Sequence, residues 1–140
     1  MFLCTGVFGG ATASAAPIDT ACGTPLTPAE TATIAKLSDT TTLTGWSLRQ
    51  LEQAIDNHQR ITEILVRHRD WRGLFALGLD AVEHAAVLPL QREPASFADP
   101  ELAHRLSLDL LSRLLRNLHA EFTGVPTEPH WAHYFDLARH

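Results

Sequence analysis

Three features predict an all-α fold, an irregular bundle of about five helices preceded by an export signal. Apolar residues recur at three- and four-residue spacing over long stretches, and β-branched alternation is absent. The breaks between these stretches carry helix-capping residues and prolines. With 140 residues, 45% of them hydrophobic and 19% charged, the chain has the size and composition of one soluble domain rather than two.

The first sixteen residues contain no charge, and Ala13-Ser14-Ala15 offers an Ala-x-Ala cleavage pattern. Residues 1–15 are therefore expected to be an export signal, truncated at its start because the positive leading region is missing, which implies a secreted or extracytoplasmic protein. Residues 16–46 read as a short helix and a Thr-rich linker, and residues 47–140 as the helical core domain. Thr27-Pro28-Ala29-Glu30 is a capping box with proline at the first helical position, so the first helix should run from Pro28 to about Leu37. Ser47, followed three residues later by Gln50, is expected to cap a second helix reaching about His68. Asp70 then caps a third, Trp71 to Leu88, stopped by Pro89. After a loop, Asp99-Pro100 starts a long fourth helix ending near Phe122, with Gly124 as its left-handed terminator. Thr127 and Pro129 introduce the fifth, His130 to Arg139.

Helical angles sort the side chains into faces. On the third helix Trp71, Leu74, Phe75, Gly78, Leu79, Val82, Ala85 and Ala86 share a wide arc, which marks it as the central helix of the bundle. Its interior glycines, Gly73 and Gly78, imply close approach by another helix. Leu110, Leu111, Leu114, Leu115, Leu118 and Phe122 give the fourth helix a similar core stripe.

The charge balance, 11 basic against 16 acidic residues for a net −5, argues against a nucleic-acid partner, since Lys36 is the single lysine and the arginines are scattered. No run of about 20 apolar residues is apparent, so no membrane span is expected. Motifs for nucleophilic catalysis, phosphate cradling and the His-Glu-x-x-His zinc site are absent. Cys22 would be the one cysteine left after cleavage, and its redox partner is not legible.

Residues that interrupt the apolar stripes are the candidates for chemistry. His58 sits amid Leu51, Ala54, Ile55, Ile61, Thr62 and Leu65, and His104 lies on the stripe of the fourth helix; both are expected to be buried. A buried imidazole serves as general base, metal ligand or structural bridge, and so these two are the candidate catalytic residues. Asp80, Glu83 and His84 stand within one turn on the less apolar side of the third helix, at a spacing that helical metal sites use and common surface pairs share. His130 and His133 open a polar stripe on the last helix that could hold a divalent transition metal weakly.

Five strings in fixed order, Trp71 to Glu83, Pro89 to Arg92, Phe97 to Pro100, Phe122 to Gly124 and Pro129 to Phe135, resemble an actinobacterial family of exported helical proteins of unknown function. The resemblance brings no activity with it. It implies an all-helical fold and further helices beyond the position of His140, carrying an Asn-Ala-His…Asp-Leu segment. The present chain then corresponds to the N-terminal part only. Those helices, or another chain, would supply a contact surface, a partner for Cys22 and polar counterparts for the inward histidines.

Two functional readings follow. In the first the protein is a non-enzymatic or fragmentary exported helical domain, without a cofactor, whose histidines are structural. In the second it is a metal-dependent, hydrolase-like helical protein with inward His and carboxylate ligands and zinc or a similar divalent ion as cofactor. What separates them is whether the inward groups meet.

Overall fold

The computed structural model describes residues 23–139, so the expected export signal, Cys22 and His140 lie outside the described residues. Five helical bodies and no strands are present among them, the all-α irregular bundle that the sequence predicts.

Helix α1, Pro28–Leu37, starts as its sequence dictates: the Thr27 hydroxyl accepts the Glu30 N–H at 3.2 Å and the Glu30 carboxylate accepts the Thr27 N–H at 2.9 Å. Helix α2, Ser47–Arg67, departs from its predicted cap. Trp46 occupies the cap position without a side-chain bond, and Ser47 is the first helical residue. Its hydroxyl is drawn away to donate to Glu101 at 2.6 Å, while the Gln50 amide donates back to the Gly45 carbonyl at 2.6 Å. A tertiary partner has displaced the local one.

Helix α3 is a continuous helical run of 22 residues, Trp71–Arg92. It opens with a 3₁₀ turn, Trp71–Gly73, whose Arg72 N–H is capped by Asp70, and proceeds as α-helix through Leu74–Val82. Pro89 does not stop it. The turn Glu83–Val87 is π-helical, with the Leu88 N–H donating to the Glu83 carbonyl five residues back, and the last α turn, Leu88–Arg92, follows. Proline in a regular helix loses one hydrogen bond and clashes with the carbonyl four residues earlier. The widened turn loosens the ladder where that clash would fall, so the helix passes through the proline and the expected loop shortens.

Helix α4, Pro100–Thr123, is capped by the Asp99 carboxylate on the Leu102 N–H and ends at Gly124 with φ of 73°. Helix α5, Pro129–Arg139, completes the set.

Helix α2, not α3, is central: it packs most extensively on α4 and also on α1 and α3. Leu51, Ile55, Ile61 and Leu65 of α2 join Ile34 of α1, Leu111, Leu115 and Leu118 of α4 and Phe135 of α5 in one core cluster. The α3 expectation fails on orientation. Trp71, Leu74, Phe75, Leu77 and Val82 are all exposed, Leu74 at 56%, whereas Arg72, Gly73, Ala76 and Glu83 are buried. Gly73 explains the pose, because a Cβ there would stand 2.6 Å from Leu65 Cβ, so α3 lies against α2 along its small-residue edge. Gly78 has open space around it and needs no close neighbour. Leu110 likewise leaves the predicted core stripe and is 73% exposed.

The outward apolar face has one further consequence. Trp71–Arg92, with a mean hydropathy of 1.4 over its most apolar window and 22% of that window buried, is long and apolar enough to cross a membrane by length and composition alone, which amends the expectation that no such stretch exists. It is the single helix of that kind among the described residues, and its inner edge carries two acidic residues against α2; no clear membrane span is present.

Candidate metal centre

The inner edge of α3 delivers chemistry to the middle of α2. Asp80 and Glu83 are three residues apart and therefore share one side of the helix. Glu83, expected on the less apolar side of the helix, is 3% exposed, because α3 turns its apolar side outward. Its Oε2 lies 2.7 Å from Nδ1 of His58, which is fully buried as the sequence predicts. Where Nδ1 carries the hydrogen of this bond, the N–H donates to the Glu83 carboxylate, and in the neutral imidazole Nε2 is then the acceptor nitrogen.

His58, Asp80 and Glu83 each present one ligand atom, and all three atoms lie within 4.8 Å of one another. His58 Nε2 and Asp80 Oδ1 are buried and make no hydrogen bond. One turn along α2 from His58, the buried hydroxyl of Thr62 is also without a partner. Buried polar atoms in folded proteins are satisfied in the great majority, so this concentration within one turn of a histidine calls for an explanation. The donor set of one imidazole nitrogen and two carboxylate oxygens suits zinc, manganese or iron, whose N and O ligands sit at about 2.0–2.2 Å.

The other sequence candidates do not join this centre. His84 is exposed and turns back onto its own helix, with Nδ1 3.0 Å from the Asp80 carbonyl and 3.3 Å from Asp80 Oδ1, the latter without hydrogen-bond geometry. His104 is half-buried rather than buried, and bridges helix ends: Nε2 is 2.9 Å from the Gln91 carbonyl and Nδ1 is 3.4 Å from the Ser47 hydroxyl. Ser47 stands three turns before His58 on α2, roughly 16 Å along the axis, so the two inward histidines serve separate places. His130 and His133 are exposed on α5, with His130 Nε2 3.3 Å from Glu128. Trp131 and Phe135 of the same helix pack inward, with the Trp131 and Phe75 rings edge to face at 5.3 Å.

A cleft of about 400 Å³ opens beside the centre, between α2, α3, α4 and α5. Leu51, Ile55, Phe75, Leu79, Leu111 and Trp131 form much of its wall, and Glu83 is its one carboxylate. Arg113, bonded to Glu128 at 3.0 Å, and His130 also line it.

A second buried polar group is structural. Arg72 is fully buried, holds Asp70 through Nη2 at 2.6 Å and Nε at 3.0 Å, reaches Glu121 at 3.2 Å and stacks 4.4 Å from the Phe122 ring centre. Arg139 closes the group by bonding Glu121 from α5. Every charge in it is matched, which distinguishes it from the His58 centre. The Tyr134 hydroxyl ties α5 to the same corner, donating to the Arg72 carbonyl at 3.0 Å and accepting the Phe75 N–H at 3.1 Å; burial pushes its pKa up.

Compared with protein-family models, curated proteins and solved structures, the chain finds no match.

Proposed function

We propose that the protein is an exported helical metal-binding protein of hydrolase-like architecture, with His58, Asp80 and Glu83 as ligands of a divalent transition metal. One observation carries this reading: one ligand atom from each of the three residues lies within 4.8 Å of the others, and at the same place His58 Nε2 and Asp80 Oδ1 are buried without a hydrogen bond. Buried polar side-chain atoms are partnered in the large majority, and His58 has a partner for Nδ1 only. A divalent ion there would balance the two carboxylates and, as a Lewis acid, supply the means to activate water. Export is the reading of residues 1–15, and membership of the actinobacterial exported helical family is the reading of the five ordered strings.

Elemental analysis of the chain purified without a histidine tag, after incubation with Zn²⁺ and gel filtration, tests the site. About one equivalent is expected, falling below about a tenth in Asp80→Asn and His58→Ala. Asp80 lies at the margin of the centre, so Asp80→Asn is expected to keep the fold, checked by circular dichroism. The surface change His130→Ala is expected to leave the stoichiometry unaltered. Less than about a tenth of an equivalent in the unmodified chain overturns the assignment.

A further inference from the structure

The cleft beside the centre has a composition that folding alone does not explain. Its volume of about 400 Å³ falls within the range of small-molecule sites, about 300–1,000 Å³. The wall is mostly apolar, and two of its members, Phe75 and Leu110, remain half or more exposed at the rim. The carboxylate in it, Glu83, is a member of the metal cluster, is almost wholly buried and is fixed by His58. An apolar chamber with a buried polar group at one place is the arrangement that orients an amphiphilic small molecule, body against the wall and head at the polar group.

We infer that this cleft binds a small molecule with an alkyl or aryl body and a single Lewis-basic head, a carboxylate or carbonyl, directed at the Glu83 side of the His58–Asp80–Glu83 centre. The inference rests on the metal reading for the head and on the cleft wall for the body. With a divalent ion present, the charges of Asp80 and Glu83 are balanced, so an anionic head is accepted there; without it two carboxylates repel one. The body is independent of the ion, because it is held by the burial of apolar surface against Leu51, Ile55, Phe75 and Trp131.

The two parts separate in one titration series. The full chain is loaded with the neutral dye N-phenylnaphthylamine, and straight-chain carboxylates from acetate to laurate are added, with Zn²⁺ and after chelation. The dye is expected to bind in both states. The carboxylates are expected to displace it from the zinc-loaded chain with affinity rising about fourfold per methylene until the cleft is filled, and at least tenfold more weakly after chelation. Leu110→Glu at the rim is expected to abolish dye and carboxylate binding while zinc stoichiometry and melting temperature stay unchanged; Leu110→Met is expected to restore both. Zinc binding without dye binding, or displacement that ignores chain length or is indifferent to Leu110→Glu, overturns the cleft assignment and leaves the metal site standing. Dye binding with no zinc bound refutes the metal reading and, with it, the carboxylate or carbonyl head. Failure of the dye to bind the intact chain at all means that the cleft is covered by another part of the protein, and refutes the inference.

Discussion

Glu30 shows how much one local motif can do. Its carboxylate accepts the Thr27 N–H and hydroxyl, and lies 2.9 Å from His68 Nε2, 38 residues away. The Thr27 backbone bond above all, then the His68 bond, lower its pKa from 4.5 to about 2. A carboxylate with a depressed folded pKa stabilises the fold fully above its unfolded pKa, and that contribution is lost as pH falls through the folded value. The window for Glu30 is therefore pH 4.5 down to about 2. Thermal melts across this window are expected to show a steeper loss in the unmodified chain than in Glu30→Gln, whose side chain has no proton to gain. Parallel curves would refute the role. The capping half of this arrangement is legible from Thr-Pro-Ala-Glu, whereas the His68 half depends on where α2 ends relative to α1, which no local spacing encodes.

At the scale of the element, α3 is the informative case. Its apolar arc predicts a central helix, yet the apolar residues face solvent and the cleft, while the edge Gly73, Ala76 and Glu83 is buried. Hydrophobicity counts favour the opposite rotation, but they omit two facts that the packing supplies: the close approach at Gly73, and the pairing of Glu83 with His58. A mismatch between pattern and pose is expected where a helix serves a site rather than the core alone. The two glycines separate these influences. Gly73→Ala sets a Cβ 2.6 Å from Leu65 Cβ, an atom attached to backbone that cannot swing aside, and is expected to cost about 1–3 kcal/mol. Gly78→Ala meets nothing within 4 Å and is expected to gain up to about 1 kcal/mol through helix propensity. Urea unfolding of both variants checks the contrast; equal effects would mean that α3 does not rest on α2 at Gly73.

The whole molecule is held at one corner by a charge group that joins three helices. Arg72 from the first turn of α3, Glu121 from α4 and Arg139 from α5, with Asp70 beside them, alternate in sign; Arg72, Asp70 and Glu121 are buried, and Arg139 reaches Glu121 from the exposed side. Removing one member leaves a buried charge unmatched, so Arg72→Met is expected to cost about 3–5 kcal/mol by denaturant unfolding, more than any single surface change. A loss under about 1 kcal/mol would show that water reaches Asp70 and Glu121 when the guanidinium is gone. Glu121 is visible in the sequence as a residue on the edge of a leucine stripe. Arg72 gives no such signal: beside a tryptophan and a glycine at a helix start, it reads as solvated until the fold encloses it.

The sequence by itself determined the class of fold, the extent of α1, α4 and α5, and the burial of His58, because capping chemistry and apolar periodicity act over a few residues. Tertiary structure decided which face of α3 points inward, that the chain passes helically through Pro89, and that His58 meets Asp80 and Glu83 rather than His104. Those outcomes turn on the rotation of one helix against another. That rotation is set by a contact at one glycine and by the matching of buried polar groups far apart in the chain, and neither leaves a periodic trace along the sequence.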